Sequence, residues 1–302
     1  MTENLRSRRA NRIKEAVSDR ILYIITVIIM LAAFIVTLYP FLYVLSMSLS
    51  DQGAVLRQEV WLFPKGLNLH SYEKVFADPA IWTAYGNTLF YTIAGTILNV
   101  FMTCMMAYPL SRKQFWGRNT ISMLVVFTML FSGGMIPNFL LIKNLGLYNT
   151  RWALILPGAI SAYNLFLART YFSGLPDSLV ESASIDGATE ATILRKIIVP
   201  LSMPIIAVLT LFYAVGHWNS YFNALLYIPD IKKQPLQMFL VKLLVLEQDL
   251  MAEGGADALE LTLQAMQTKY ATIIVVILPI LCVYPFLQKY FTQGVMIGAI
   301  KE

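Results

Sequence analysis

The chain has 302 residues, of which 57% are hydrophobic and 14% charged, with a mean hydropathy of +0.62. A soluble domain carries about 25% charged residues, so the composition excludes an ordinary water-soluble fold and makes lipid the solvent. The net charge of +5 and the pI near 9.1 would suit a nucleic-acid partner, but no aromatic interleaving accompanies the basic residues, and their placement has another explanation below.

Residues 1–20 carry Arg6, Arg8, Arg9, Arg12, Lys14 and Arg20, a basic arm suited to an anionic membrane face. The apolar run from Ile21 to about Met47 exceeds the roughly 7–15 residues of a signal core and is expected to be an uncleaved first span. Six segments reach the roughly 20 residues that cross a bilayer: 21–47, 86–110, 119–143, 152–173, 197–228 and 270–290. The expected fold is all-α, a polytopic membrane protein with six transmembrane helices forming one domain over residues 21–302. Prolines 40, 109, 137, 157, 204, 279 and 285 lie in or beside these spans, where neighbouring helices re-satisfy the freed carbonyls. Cys104 and Cys282 sit in apolar segments and read as small buried residues; with His70 and His217 they match no zinc spacing, and no metal site is expected.

With the N-terminus inside, the inner side holds 14 basic and 8 acidic residues and the outer side 9 and 10. The positive charge is thus a topology signal, and it places both termini and the loop 175–196 in the cytoplasm. Two outer loops are long. Residues 48–85 include Trp61, Phe63, Pro64, Tyr72 and Phe76, and are expected to lie partly on the membrane surface. Residues 229–269 include an apolar, periodic stretch from Leu236 to Met251 that suits an external helix. Both loops also suit plain packing over the outer mouth of the bundle.

No GxxxxGK[ST] occurs, so the chain builds no P-loop, and HExxH and GxSxG are absent too. This argues against an enzyme. The span interiors lack Asp and Glu, which proton- and sodium-coupled carriers use near the midplane. Neutral polar residues do enter the spans: Ser132, Gly133, Gly134 and Asn138 in the third, Ser161, Tyr163 and Asn164 in the fourth, and His217, Trp218, Asn219, Ser220, Tyr221 and Asn223 in the fifth. Amides and aromatic rings suit a sugar's hydroxyls and C–H face. The plainer reading is that they join helix to helix. The candidate solute path is Asn138, Asn164, Trp218, Asn219, Tyr221 and Asn223; Gly133-Gly134 is expected to serve a bend or a close helix contact.

The stretch from Leu175 to Pro204 is the main polar interruption of the second half. Ser178 and Glu181 have capping-box spacing, Pro176 precedes them, and Gly187 suits a left-handed helix stop. Thr189 then caps a second helix with Ile193, Leu194, Ile197 and Ile198 on its apolar face and Arg195 and Lys196 on the other. Pro200 and Pro204 bend the chain into the fifth span. The plainer reading is an ordinary loop between well-capped helices.

Glu181-Ser182-Ala183, Asp186-Gly187-Ala188, Ile197, Pro200, Leu201 and Pro204 resemble the EAA loop of ABC importer permeases, in the form found in the second permease subunit of carbohydrate importers of the maltose and oligosaccharide type. Ser182 departs from the usual Ala. The resemblance covers nearly the whole chain, including the tail from Gly294 to Lys301, and implies a type I importer bundle with a cytoplasmic coupling helix over about Asp177 to Ala188. It implies a second permease subunit, a cytoplasmic ABC ATPase dimer that binds ATP and Mg, and an extracytoplasmic solute-binding protein touching the outer loops. No cofactor is expected in this chain and no nucleic acid as a partner. The coupling residues it implies are Glu181, Ser182, Ala183, Asp186, Gly187, Ala188 and Pro200, with Glu181 meeting a basic residue of the ATPase and the tail from Gln293 to Glu302 touching the ATPase dimer. The implied solute is an oligosaccharide or similar polyhydroxylated molecule. The alternatives are an ion-coupled secondary carrier, an ABC permease for a non-sugar solute, or a membrane anchor that transports nothing.

Overall fold

The computed structural model describes residues 17–253, 265–266, 268–283 and 285. Most of the basic arm and all of the tail from Gln293 to Glu302 lie outside the described residues. The described residues form helices joined by turns, with no strand, and the chain divides into two compact units, residues 1–69 and 70–302.

In the first unit, α1 (Val17–Leu49) is a 33-residue helix with Pro40 inside it. Its side chains between Ile21 and Leu42 are exposed almost all round, as lipid allows and water does not. Its end is polar and buried. Ser46 Oγ donates to the Leu62 carbonyl (2.7 Å), Ser50 Oγ accepts from the Lys65 amide (3.1 Å), and the Asn68 amide reaches the Leu49 carbonyl (2.9 Å). These bonds fold residues 57–69 back beside the short helix α2 (Gln52–Leu56), which Asp51 caps. Hydrogen bonding to Arg57 holds the Glu59 carboxyl below its ordinary range. Trp61 and Phe63 stay exposed at the loop surface.

The second unit begins with α3 (His70–Ala77) and is built on α4 (Pro79–Ser111), a 33-residue helix capped by Asp78. At about 1.5 Å per residue it is long enough to cross the hydrocarbon with room to spare. α4 packs against α7 (Ala162–Ser173) and α11 (Met203–Trp218) through a core that includes Cys104, Ala107, Leu165, Phe172, Ile205 and Leu209.

The other expected spans are broken. Residues 119–143 form α5 (Arg118–Leu130) and α6 (Met135–Asn144), which turn through 117°. Gly134 makes that turn at φ 85 with open space around it, so the Gly133-Gly134 pair serves a bend and not a close contact. Residues 152–173 hold only a 3-10 turn (Arg151–Leu154), an irregular stretch around Pro157-Gly158, and the 12-residue α7. Such a helix spans about 18 Å, short of a crossing. The fifth segment bends by 85° at Ser202, between Glu190–Leu201 and α11, and breaks again before α12 (Phe222–Tyr227). Beyond it, α13 (Leu236–Glu253) covers the stretch from Leu236 to Met251 expected to be helical. The sixth apolar segment is α14 (Thr268–Val283); residues 286–290 of that segment lie outside the described residues. Among the described residues, two helices are long and apolar enough to span alone, or up to four with each bent pair counted as one.

A polar seam runs along the buried face of α4. Near its start, Asn87 Nδ2 donates to the Lys232 and Gln234 carbonyls (2.8 and 3.1 Å), and Asn87 Oδ1 accepts from Arg151 (3.0 Å). Thr88 Oγ1 accepts from the Leu236 amide and Tyr91 donates to the Lys233 carbonyl, both at 2.7 Å. The loop before α13 is thereby fastened to α4. Farther along, Asn99 donates to the Gly158 carbonyl and accepts from His217 Nε2 (3.1 Å), which makes Nε2 the protonated ring nitrogen. Thr103 and Tyr213 share a hydroxyl–hydroxyl bond of 2.7 Å, and Tyr213 also takes the Ser161 amide. Gly95 lies directly under the His217 ring, where a Cβ would collide with it.

Gly95→Ala should therefore lower stability by about 1–3 kcal/mol, the range for overpacking a filled interior. Thermal unfolding of the purified protein checks this. Pairing the change with His217→Ala, which empties the space above position 95, should recover part of the loss.

Candidate functional site

The loop from Leu175 to Leu201 forms an elbow. Pro176, extended at φ −57 and ψ 126, precedes α8 (Asp177–Ile185) as its N-cap, and no side chain caps that end. The capping box expected from Ser178 and Glu181 is not formed. The helix starts two residues earlier than that pattern requires, so Glu181 lies too deep in it to reach back to the cap. Asp177 in the first turn supplies the charge that a helix start favours.

The other end is closed by backbone alone. The Ala188 amide bonds the Ala183 carbonyl (3.0 Å) and the Gly187 amide bonds that of Ser184 (3.1 Å), the paired bonds of a Schellman stop. Gly187 sits at φ 79 with nothing within 4 Å of where a Cβ would be. Its glycine is required by backbone conformation; no close approach within the chain occurs there. Thr189 caps the next helix by accepting the Thr192 amide (3.4 Å).

α8 has no buried residue. Val180 and Ala183 lean on the core and Ala188 joins them, while Glu181, Ser182, Ile185 and Asp186 are exposed, Ile185 by 87%. Ser182 is on the outer face, where its hydroxyl costs nothing. After α9 (Glu190–Ile193) comes a π turn, Leu194–Ile198, and then α10 (Val199–Leu201). The Val199 amide reaches back five residues to Leu194, a wide turn just before exposed Pro200, whose ring would clash with the carbonyl four residues earlier in a regular helix. Ile193 and Ile198 are fully buried, Leu194 and Ile197 partly, and Arg195 and Lys196 face out, the amphipathic pattern expected from the sequence. Beside the elbow, Arg118 and Arg169 both donate from Nε to the Leu110 carbonyl (3.2 and 3.0 Å), placing cations at the C-terminal end of α4.

The six candidate path residues do not converge on one surface. Asn138 is exposed on α6 and Asn164 is buried in the first turn of α7. Trp218 is buried; its Nε1 donates to the Val276 carbonyl (3.2 Å) and its ring meets Tyr85 edge-on. It packs α11 against α14, the helix-joining role. Asn219 donates to the Val215 carbonyl (3.0 Å) and accepts from Gln237 (3.2 Å), and Tyr221 and Asn223 are exposed around the start of α12. The polar seam of α4 is the part that the residue-by-residue reading of the later spans misses. Its signal is legible in the sequence as Thr and Asn at positions 88, 92, 96, 99 and 103. The Thr92 and Thr96 hydroxyls in it are buried with no hydrogen-bond partner.

A membrane bundle with an exposed, glycine-stopped elbow is the design of an importer permease, and the sequence comparison agrees. The family model for the inner membrane component of binding-protein-dependent transport systems matches residues 80–297; the chain belongs to that family, as a permease subunit of an ABC importer. It is 45% identical over 266 residues to protein LplC of Bacillus subtilis strain 168, covering 88% of this chain and 90% of LplC. It is 40% identical over 272 residues to the polygalacturonan/rhamnogalacturonan transport system permease protein YtcP of the same organism, covering 88% and 93%. Among solved structures, a bacterial ABC transporter involved in the import of the acidic polysaccharide alginate is similar with a TM-score of 0.83 and 34% identity, over 92% of this chain and 99% of that one.

The packing of Trp218 yields a test. Trp218→Ala should cost about 3–5 kcal/mol, as truncating a buried large aromatic does. Asn219→Ala, at an exposed position, should stay near ±0.5 kcal/mol. Thermal unfolding of the two variants separates the roles.

Proposed function

We propose that this chain forms one half of the translocation path for an oligosaccharide or related polyhydroxylated solute, with its partner permease forming the other half. A separate cytoplasmic ATPase dimer drives the cycle, and an extracytoplasmic binding protein delivers the solute. ATP and Mg belong to the ATPase. Both termini and the elbow face the cytoplasm, as the distribution of basic residues indicates.

The observation that carries the reading is α8: a helix with no buried residue, held at a fixed angle by the left-handed Gly187, showing a carboxylate and a large apolar side chain outward. A surface of that kind suits a docked protein better than water. Glu181, Ser182 and Asp186 form the contact face. Ala183, Ala188 and Pro200 shape its backing. Nucleotide-driven closure of the ATPases moves the elbow and reorients the bundle between inward-open and outward-open. For the solute, the polar groups around Asn219, Tyr221 and Asn223, with Asn138, are the exposed hydrogen-bonding sites. Asn164 and Trp218 support them from within the bundle. The relatives named for polygalacturonan and alginate put uronate-containing oligosaccharides first among the sugars to test.

The test is co-purification of the chain with the products of neighbouring genes, followed by ATPase assay over a sugar panel in the presence of the binding protein. A co-purifying ATPase stimulated by one sugar class is expected. Uptake into proteoliposomes without ATP would overturn the reading in favour of an ion-coupled carrier. Gly187→Val should leave membrane insertion intact and abolish stimulated ATPase and uptake. A β-branched residue at φ 79 costs about 1–3 kcal/mol, and about 1.4 kcal/mol shifts a conformational population tenfold. Normal uptake by that variant would remove the elbow from the mechanism.

A further inference from the structure

Tyr108, in the last turn of α4, and Arg112, the extended residue that caps its end, touch the elbow on either side of α8. The Tyr108 hydroxyl donates to Glu190 Oε2, just past the Gly187 turn. Arg112 Nη1 lies 3.7 Å from Asp177 Oδ1, at the first residue of α8. The Arg112 guanidinium is itself stacked over the Tyr108 ring, 5.0 Å from its centroid. The pair is a connected unit: Arg112 holds the start of α8 and Tyr108 holds the segment after it.

The two grips differ in strength. The Arg112 side chain is 16% exposed and Asp177 66%, so water screens the ion pair and it contributes little alone. Arg112 Nε and Nη2 are buried without a hydrogen-bond partner, spare donors that a closer Asp177 carboxylate would fill in two-pronged fashion. The Tyr108 ring is 6% exposed and belongs to the core with Phe172 and Ile193. Its hydroxyl meets a carboxylate, the stronger kind of hydrogen bond.

We propose that Tyr108 and Arg112 are positioning residues that clamp the elbow to the end of α4, so that α4 follows the elbow through the transport cycle as one rigid piece. The covalent chain joins the elbow only to α7 before it and α11 after it. The clamp adds the longest helix of the unit. This rests on the reading of the elbow as the ATPase contact given above.

The test uses spin labels at Met105→Cys, exposed on α4, and Ser184→Cys, exposed on α8, in the full chain with Cys104 and Cys282 replaced by Ala, purified with its partner subunits. Pulsed spin-resonance distances are measured with and without AMP-PNP and Mg. In the otherwise unmodified chain one narrow distance is expected, unchanged by nucleotide. Tyr108→Phe keeps the buried ring and removes only the hydroxyl; it and Glu190→Ala should each broaden the distribution and make it shift with AMP-PNP, while the ATPase still co-purifies. The two together should do no more than either alone, and Glu190→Gln, which keeps an acceptor, should behave as the unmodified chain. Adding Arg112→Gln to Tyr108→Phe should broaden it further. A distance that shifts with nucleotide in the unmodified chain, or Tyr108→Phe and Glu190→Ala distributions that match it, would overturn the clamp. Absence of the ATPase from the unmodified preparation would instead sink the assignment of the elbow.

Discussion

A polar group inside a lipid-embedded bundle has no water to turn to and must be met by the protein. In this chain that requirement is concentrated on one face of α4. Its first turns bond the loop ahead of α13 and Arg151, its middle bonds α11 and the irregular stretch at Gly158, and its Leu110 carbonyl takes two arginines. Apolar packing against α7 and α11 brings those elements near α4. The hydrogen bonds fix register, since a slide of one turn would leave several buried amides and hydroxyls unmatched, at about 1–3 kcal/mol each.

The same logic explains how the chain tolerates so many broken helices. The breaks at residues 131–134, 155–161 and 202 free backbone groups within apolar segments. Neighbours supply partners for some of them: Asn99 takes the Gly158 carbonyl, and the Ser202 amide reaches both Ile198 and Val199. The break at 131–134 is instead exposed, with open space around Gly134. By contrast α1, unbroken and greasy, shows its side chains almost all round.

What the sequence reveals follows from the range of the forces. The presence of α1 and α4, the Gly187 stop, the Thr189 cap and the buried face from Ile193 to Ile198 depend on residues within a few positions of each other, and all are legible; the first two turns of α4, from Pro79, are not. The capping box at Ser178 fails for an equally local reason: Pro176 already starts the helix. The breaks inside the third, fourth and fifth apolar runs are harder to see, because hydropathy is the same for a straight helix and for two short ones set at an angle. Pro and Gly mark the places without giving the angle. The α4 seam shows its spacing in the sequence, but its partners lie 59 to 148 residues away along the chain. Trp218 illustrates the same limit. An aromatic beside an amide suits a sugar, and only the position of Val276 shows the ring to be packed between helices.

The 85° bend at Ser202 has a mechanical consequence. Glu190–Leu201 and α11 meet almost at a right angle. A thrust delivered along the shorter arm therefore has nearly no component along the longer one. It cannot drive α11 up and down like a piston; it tips it, with Ser202 as the pivot of a bell crank. Since α11 carries His217 at its far end, bonded to Asn99 and resting on Gly95 of α4, a tilt of α11 carries α4 with it.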